Sequence, residues 1–190
     1  MQAERSAALA PGITPARRIT LDELLIRQWQ PEDLRPRWEA ITASFDHLRP
    51  WWSDSLIELA TLDGQRVYGR NAEHWPTTSG DYRYGIFDHH DTVLGGINLQ
   101  DRLGSGAIEL GYWCHVAHTG HGVITRAAAA LTELALALPG IDRVEIHCDV
   151  NNLRSAAVPR RLGFRLDRTQ PREKSAPSDS GTEMCWIRDR

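Results

Sequence analysis

The sequence predicts an α+β fold: a mixed, mostly antiparallel central sheet with helices on both faces. Between residues 82 and 116, three β-rich segments follow one another through tight turns, which is typical of an antiparallel meander. From residue 123 to residue 188, helical and β-rich segments alternate, which adds crossover helices to that meander. Such a sheet is covered on both faces, and we expect the ligand pocket where the order of strands changes.

The composition is that of a globular protein. Its 190 residues suffice for one domain with a real core, and 41% hydrophobic and 25% charged residues are ordinary values. No apolar run approaches the roughly 18 residues of a membrane helix. We expect one domain over residues 19–190. Residues 1–18 lack the continuous apolar core of a secretory signal and are expected to form a flexible leader.

The cysteines and the net charge narrow the class of protein. Cys114, Cys148 and Cys185 lie in apolar stretches without metal-like spacing, so we expect buried free thiols, no metal site and a reducing, cytoplasmic location. A net charge of −3 argues against binding driven by nucleic-acid phosphates. It suits a cationic substrate such as an amine, although so small a charge discriminates poorly.

In the first half of the chain, the pattern predicts one strand and two helices. Residues 21–27 are expected to form the strand. Pro31 suits the first turn of a helix, and the apolar residues after it recur at helical spacing. Ser53 is expected to cap a second helix over residues 56–62 that continues towards Trp75, and residues 76–80 are expected to form a turn.

The second half is predicted to contain most of the sheet. Residues 82–87 and 93–99 should form a hairpin around a turn at 88–91, where His89 and His90 are expected to be turn residues and not a metal pair. The remaining predicted elements are a strand at 107–116, a helix at 123–138, a strand at 143–150, a helix at 154–162, and strands at 164–168 and 182–188. The Pro- and Ser-rich residues 169–181 are expected to form a mobile loop.

A glycine loop joins the longest strand to the helix that follows it. The strand ends near Val116, Gly120 and Gly122 follow, and the helix begins at once. Glycines let a backbone approach a ligand, and the free N–H groups at a helix start favour an anion such as phosphate. An ordinary left-handed turn is the alternative. Gly-x-Gly-x-x-Gly is not completed at Thr125 and the Walker lysine is absent, which disfavours dinucleotides and nucleoside triphosphates.

A second motif, Asn-x-x-Ser at residues 152–155, precedes Arg-Arg-Leu-Gly-Phe ending at Phe164. Alone, Asn152 is explained as a helix cap and Ser155 as a first-turn residue. With Glu-Leu-Gly-Tyr-Trp from Glu109 and Gly-His-Gly-Val-Ile-Thr-Arg-Ala from Gly120, the motif resembles the GNAT superfamily of N-acyltransferases. It is closest to the RimJ/RimL-type branch, the ribosomal-protein N-terminal acetyltransferases. The resemblance covers residues 21–188.

The resemblance implies direct transfer of an acetyl group from acetyl-CoA, or of another acyl group from its CoA thioester, to a primary amine. The branch favours the α-amino group of a protein or peptide. A small amine such as a polyamine or an aminoglycoside, another donor such as succinyl-CoA, and a non-catalytic CoA-binding sensor are alternatives. No nucleic-acid or membrane partner is expected, and homodimers are common in the family.

The resemblance also implies catalytic and cofactor-binding roles for individual residues. Glu109 is expected to be the base, because a buried carboxylate takes up a proton more readily than an exposed one; the alternative is an ion pair with Arg83 or Arg102. His115 is the second candidate base, and Ser155 is expected to protonate the leaving thiolate. A backbone N–H within residues 112–116 is expected to stabilise the oxyanion. The expected cofactor-binding residues are Cys114, His115, Val116, Ala117, Thr119, Gly120, His121, Gly122, Val123, Ile124, Thr125, Asn152, Ser155 and Arg161.

The sequence departs from the family pattern at two places. Ala117 stands where GNAT loops usually carry Gln or Arg, so phosphate binding should depend on backbone N–H groups. Pro159 and Arg160 occupy the region where many members place a catalytic Tyr, and Ser155 is the substitute that the branch implies. Tryptophans that precede the hairpin are expected to divide between an acceptor groove and the core; they are Trp29, Trp38, Trp51, Trp52 and Trp75.

Overall fold

The computed structural model describes residues 7–75 and 80–190 and confirms the predicted fold class. The strands are β1 Arg18–Thr20, β2 Leu25–Gln28, β3 Asp81–Phe87, β4 Val93–Gln100, β5 Gly106–Cys114, β6 Ile141–Asp149, β7 Arg165–Pro171 and β8 Thr182–Asp189. The helices are α1 Leu34–Ala43, α2 Phe45–Leu48, α3 Ser55–Leu59, α4 Leu62–Glu73, α5 Val123–Leu136 and α6 Leu153–Arg161. Within the described residues, no helix combines the length and the apolar character needed to cross a membrane.

One eight-stranded sheet runs in the order β1-β2-β3-β4-β5-β6-β8-β7. Neighbouring strands are antiparallel except β5 and β6, which are parallel because α5 carries the chain from one to the other. Successive side chains of β5 point to opposite faces. Leu110 packs in the cluster that contains α5, whereas Trp113 packs against α1 and α3, so helices cover both faces of the sheet.

Two predictions for the first half need correction. Residues 21–27 are not one strand: the Leu21 N–H donates to the Leu24 carbonyl at 2.8 Å, and this turn separates β1 from β2. The second predicted helix is divided into α3 and α4. Thr61 caps α4 by accepting from the Gly64 N–H at 3.0 Å, and a Cβ on Gly64 would lie 1.9 Å from the Glu58 carbonyl oxygen. This close packing of α4 on the end of α3 requires glycine and breaks the helix.

Two further boundaries differ from the predictions. Ser53 does not cap α3, since Asp54 takes the N-cap position. The strand predicted at 107–116 ends at Cys114, and residues 116–118 form a 3₁₀ turn in which His115 Nδ1 accepts from the Ala117 N–H at 3.1 Å. Residues 76–79 of the predicted turn lie outside the described residues.

The segment expected to be a mobile loop, residues 169–181, is tied to the body of the protein. Its first residues belong to β7, which continues to Pro171. The buried carboxylate of Asp179 accepts from the Arg172 guanidinium at 2.6 Å and from the N–H groups of Ser175 and Ala176. The Ser178 N–H donates to the Pro50 carbonyl at 2.9 Å, which anchors this segment beside the helices of the first half.

Part of the expected leader packs against the sheet. Leu9 is 3% exposed and belongs to the main core cluster. Asp101, which is also buried, accepts from the N–H groups of Ala8 at 2.8 Å and Leu9 at 3.1 Å. Residues 1–6 lie outside the described part of the chain. A flexible leader over the whole of residues 1–18 is therefore at odds with the packing of Leu9.

Asp101→Ala should lower the free energy of unfolding by about 1–3 kcal/mol, because it leaves the Ala8 and Leu9 N–H groups without their acceptor. Urea unfolding followed by circular dichroism measures the change. Asp101→Asn keeps one acceptor oxygen and is the matched control, with a smaller expected loss. Equal stability of Asp101→Ala and the unsubstituted protein would show that the leader contact contributes nothing.

Candidate active site

The parallel strands β5 and β6 separate part of the way along the sheet. Their register runs from Gly106 opposite Ile141 to Glu109 opposite Glu145 and stops there, although both strands continue. Over this part of the described chain, residues 110–114 pair with β4 on one side, and their other edge faces the split between β5 and β6. A strand edge without a neighbouring strand can form hydrogen bonds with an extended ligand that carries amide groups.

The glycine loop lies at the end of β5, where the split is open. Gly120 has φ +81° and Gly122 has φ +73°, and a Cβ at either position would meet nothing within 4 Å. The backbone of the loop is therefore accessible. Gly122 is the N-cap of the 14-residue α5, whose first turn leaves its N–H groups without intrahelical acceptors. Both the left-handed turn and the anion site that the sequence suggested are compatible with this geometry.

Neither Ala117 nor Thr119 brings a positive charge to the loop. Ala117 contributes none, and Thr119 donates its hydroxyl to the Val116 carbonyl at 3.0 Å. Arg161 is exposed in the last turn of α6, about 13 Å along the helix from Asn152. The structure therefore does not bring Arg161 to the Asn152 end of α6. With no charge from Ala117, Thr119 or Arg161, backbone N–H groups become more important for anion binding at the loop.

Ser155 and Tyr112 bridge the split. Asn152 caps α6, as its side-chain oxygen accepts from the Ser155 N–H at 3.2 Å. The Ser155 hydroxyl donates to the Tyr112 hydroxyl oxygen at 3.3 Å, and the Tyr112 hydroxyl donates to the Ser155 carbonyl at 2.9 Å. Burial raises the pKa of Tyr112, so its hydroxyl stays protonated at neutral pH. The split thus contains two neutral hydroxyl groups in contact.

Tyr112 is a functional candidate that the sequence reasoning missed. The motif indicated Tyr112 only as part of the strand that supplies backbone N–H groups. Its position two residues after Leu110 places its side chain on the α5 side of the sheet, where α6 also packs. The alternation was visible in the sequence, but the contact with Ser155 depends on the separation of β5 from β6.

Glu109 is buried and forms an ion pair. Its two carboxylate oxygens accept from Arg102 Nε at 2.8 Å and Arg102 Nη2 at 2.7 Å. Arg83, the other expected partner, binds Asp81 instead. The pairing with Arg102 therefore exists, and a role of Glu109 as the base stays a prediction.

Glu145 lies opposite Glu109 at the last paired position of β5 and β6. The hydrogen bond from His147 lowers the pKa of Glu145 to about 2 against the opposing effect of burial, and Arg143 adds to the lowering. Glu145 is therefore ionised throughout the physiological range. The last paired position before the split carries two carboxylates, each held by an arginine.

His115, the second candidate base, faces a different region. Its ring lines a shallow pocket of about 270 Å³ between α1 and the turn from β3 to β4. Burial and the neighbouring His118 lower the pKa of His115. The preceding residue, Cys114, has a thiol whose pKa burial raises to about 11, so it is a neutral thiol. The structure does not bring His115 together with Glu109.

A cleft of about 850 Å³ lies on the Trp113 face of the sheet and reaches Tyr112 at the split. Its walls combine aromatic and polar side chains: Trp51, Trp52, Tyr68, Trp113, Arg83, Asn98, Gln100 and Arg102. Trp51 and Trp52 therefore line this groove, whereas Trp29 and Trp75 are core residues. Such a cleft can bind a second reactant next to a ligand in the split.

Comparison with known proteins gives consistent matches. The family model described as an acetyltransferase (GNAT) domain matches residues 23–165. A Bacillus subtilis (strain 168) protein named "Putative ribosomal N-acetyltransferase YdaF" is 41% identical over 153 residues, which cover 75% of this chain and 78% of that protein.

Solved structures share the fold at low sequence identity. RimL, a ribosomal L7/L12 α-N-protein acetyltransferase solved with coenzyme A, matches with a TM-score of 0.77 and 18% identity over 90% of this chain and 96% of its own. The Microcin C7 self-immunity acetyltransferase MccE, solved with acetyl-CoA and AMP, matches with a TM-score of 0.80 and 15% identity, covering 90% of this chain and 94% of its own.

Proposed function

This chain belongs to the GNAT acetyltransferase family, and we propose that it transfers the acetyl group of acetyl-CoA directly to the α-amino group of a protein or peptide. The observation that carries the proposal is the split between β5 and β6, with the glycine loop at its open end and Ser155 and Tyr112 across it. The relation to YdaF, a protein named for ribosomal N-acetylation, supports a protein amine as acceptor.

The residues around the split fit acetyl-CoA. The pantetheine arm is extended and carries amides, which match the free edge of residues 110–114. Its pyrophosphate suits the loop from Ala117 to Val123. The N–H groups of residues 117–119 bond within the 3₁₀ turn, so those from Gly120 onward, at the start of α5, would bind it. The thioester supplies an activated carbonyl carbon when acetyl-CoA is bound.

The acceptor amine must be neutral to attack that carbonyl. A protein α-amino group has a pKa of about 7.7–8.0, whereas a lysine side chain has about 10.4, so an N-terminus needs less assistance from a base. Glu109 is the proposed base, acting directly or through a water, and Arg102 holds its carboxylate in position beside the cleft. Trp51 and Trp52 would contact the residues that follow the acceptor amine.

The leaving thiolate requires a proton or a hydrogen bond. Ser155 Oγ is the proposed donor, and its contact with Tyr112 orients the hydroxyl within the split. The Tyr112 hydroxyl, whose pKa is raised by burial, stays protonated and accepts from Ser155 Oγ, and the proton that the serine gives to the thiolate is replaced from solvent after CoA leaves. A backbone N–H within residues 112–116 is proposed to stabilise the tetrahedral oxyanion.

The activity test offers acetyl-CoA together with three classes of acceptor: peptides with free N-termini, polyamines and aminoglycosides. Release of CoA and the mass of the acceptor are recorded. We expect turnover with peptides, acetylated at the α-amino nitrogen. Turnover restricted to the small amines would replace the protein acceptor by a small-molecule acceptor, and tight CoA binding without any turnover would indicate a sensor.

Gly122→Ala should raise the KM for acetyl-CoA about tenfold and leave kcat nearly unchanged. The new methyl group strains a residue at φ +73° and occupies space next to the proposed pyrophosphate. Gly163→Ala is the matched control, because Gly163 has φ +74° and an equally open surrounding but lies after α6. Equal KM values for the two variants would contradict phosphate binding at the Gly120–Gly122 loop.

A further inference from the structure

Strand register brings three metal-binding side chains together on the β6–β8 part of the sheet. His147 on β6 is directly opposite Cys185 on β8, and Glu183 is two residues before Cys185 on the same face. One ring nitrogen of His147, one carboxylate oxygen of Glu183 and Cys185 Sγ lie within 4.8 Å of one another. We propose that these three residues bind a divalent transition-metal ion, and that Zn²⁺ suits them best.

Two further hydrogen bonds orient these side chains for metal binding. His147 Nε2 lies 2.8 Å from a Glu145 oxygen, and a carboxylate that receives one ring N–H leaves Nδ1 with a lone pair for an ion. Gln170 Nε2 donates to Glu183 Oε1 at 2.8 Å, which orients the Glu183 carboxylate on this face of the sheet. Metal-binding histidines and carboxylates are typically held by such secondary hydrogen bonds.

The ligand types determine the class of ion. Imidazole, thiolate and carboxylate together favour zinc and its borderline-soft neighbours, whereas Mg²⁺ and Ca²⁺ favour oxygen ligands alone. Ligands about 2.0–2.3 Å from a tetrahedral ion are roughly 3.3–3.8 Å apart, so small side-chain rotations within the 4.8 Å cluster would complete the site. Three protein ligands leave the fourth position for water.

The site shares no ligand with the proposed acetyl-transfer site but adjoins it, since Glu145, the partner of His147, lies opposite Glu109. Its ligands lie on β6 and β8, whereas the described residues that line the acceptor cleft come from the first half of the chain, β3 to β5 and Ser175. The spacing of the cysteines predicted no metal site. The three ligands come from two strands far apart in the sequence, and antiparallel pairing makes them neighbours.

The test titrates the full chain, without a histidine tag and after dialysis against a chelator, with Zn²⁺ in a calorimeter. We expect one ion per chain, no heat with Mg²⁺, and a thiolate-to-metal charge-transfer band when Co²⁺ replaces Zn²⁺. Cys185→Ser should abolish the band and weaken Zn²⁺ binding about 100-fold or more. Cys148→Ser is the matched control, because Cys148 is on the same strand as His147 but on the opposite face, and it should keep both signals.

Because Cys185 is fully buried, its substitution can disturb the fold as well as the metal site. A second variant separates the two effects. Glu183→Gln keeps the shape of the side chain and should weaken Zn²⁺ binding about tenfold or more, with a circular dichroism spectrum unchanged from that of the unsubstituted protein. Absence of saturable Zn²⁺ binding in the unsubstituted protein would overturn the proposal. Zn²⁺ binding that folded Cys185→Ser and Glu183→Gln retain at full strength would overturn it equally.

Discussion

Ser155→Ala is expected to lower kcat about 100-fold and to change the KM for acetyl-CoA by less than about threefold. General acid catalysis by a positioned side chain contributes roughly 10²–10⁴-fold, and Ser155 Oγ lies in the split where the thiolate would leave. The Ser155 N–H and carbonyl, which bind Asn152 and Tyr112, stay in the variant. Steady-state kinetics with a peptide acceptor separate the two parameters.

Two further variants show whether the hydroxyl group itself matters. Tyr112→Phe retains Ser155 but removes the hydroxyl group that contacts it, and a loss of about tenfold in kcat is expected. Ser178→Ala alters an exposed serine of the segment between β7 and β8 and should leave kcat unchanged. A kcat of Ser155→Ala equal to that of Ser178→Ala would remove Ser155 from the mechanism.

Glu109→Gln is expected to lower kcat/KM about 100-fold at pH 7, because the amide cannot accept a proton from the acceptor ammonium group. The loss should shrink as the pH rises towards about 9, since an α-amino group with a pKa of about 7.7–8.0 is then neutral without a base. A pH–rate profile of both proteins with the same peptide measures this convergence.

The alternative role of Glu109 is an ion pair that only stabilises the sheet. Arg102→Gln breaks the same ion pair but leaves the carboxylate in place, and it is expected to reduce kcat/KM much less than Glu109→Gln. Equal losses in the two variants, independent of pH, would contradict the role of Glu109 as the base and support the ion-pair role.

The sequence predicted the fold class and most elements of the second half, because hydrophobic periodicity and glycine turns are local signals. The N-cap of α6 by Asn152 and the glycines before α5 were predictable for the same reason. The division of the second predicted helix into α3 and α4 was not predictable, since it depends on the close approach of Gly64 to Glu58 across the turn.

The side-chain contacts within the site were harder to predict from the sequence. Tyr112 contacts Ser155 only because β5 and β6 stop pairing after Glu109. Neither motif shows at which residue the pairing of two strands ends. The choice of Arg102 over Arg83 as the partner of Glu109 depends on Asp81, which binds Arg83. The Zn²⁺ site proposed above depends likewise on the register of β6 against β8.

The central claim is that acetyl-CoA binds in the split between β5 and β6, with its pyrophosphate on the glycine loop. Amide hydrogen exchange of the full chain, with and without saturating CoA, tests it directly. Slower exchange is expected at residues 110–114 and 120–125. No change is expected in α4, which packs on the face of the sheet opposite to α5. Saturable CoA binding that leaves exchange at residues 110–125 unaltered would contradict the claim.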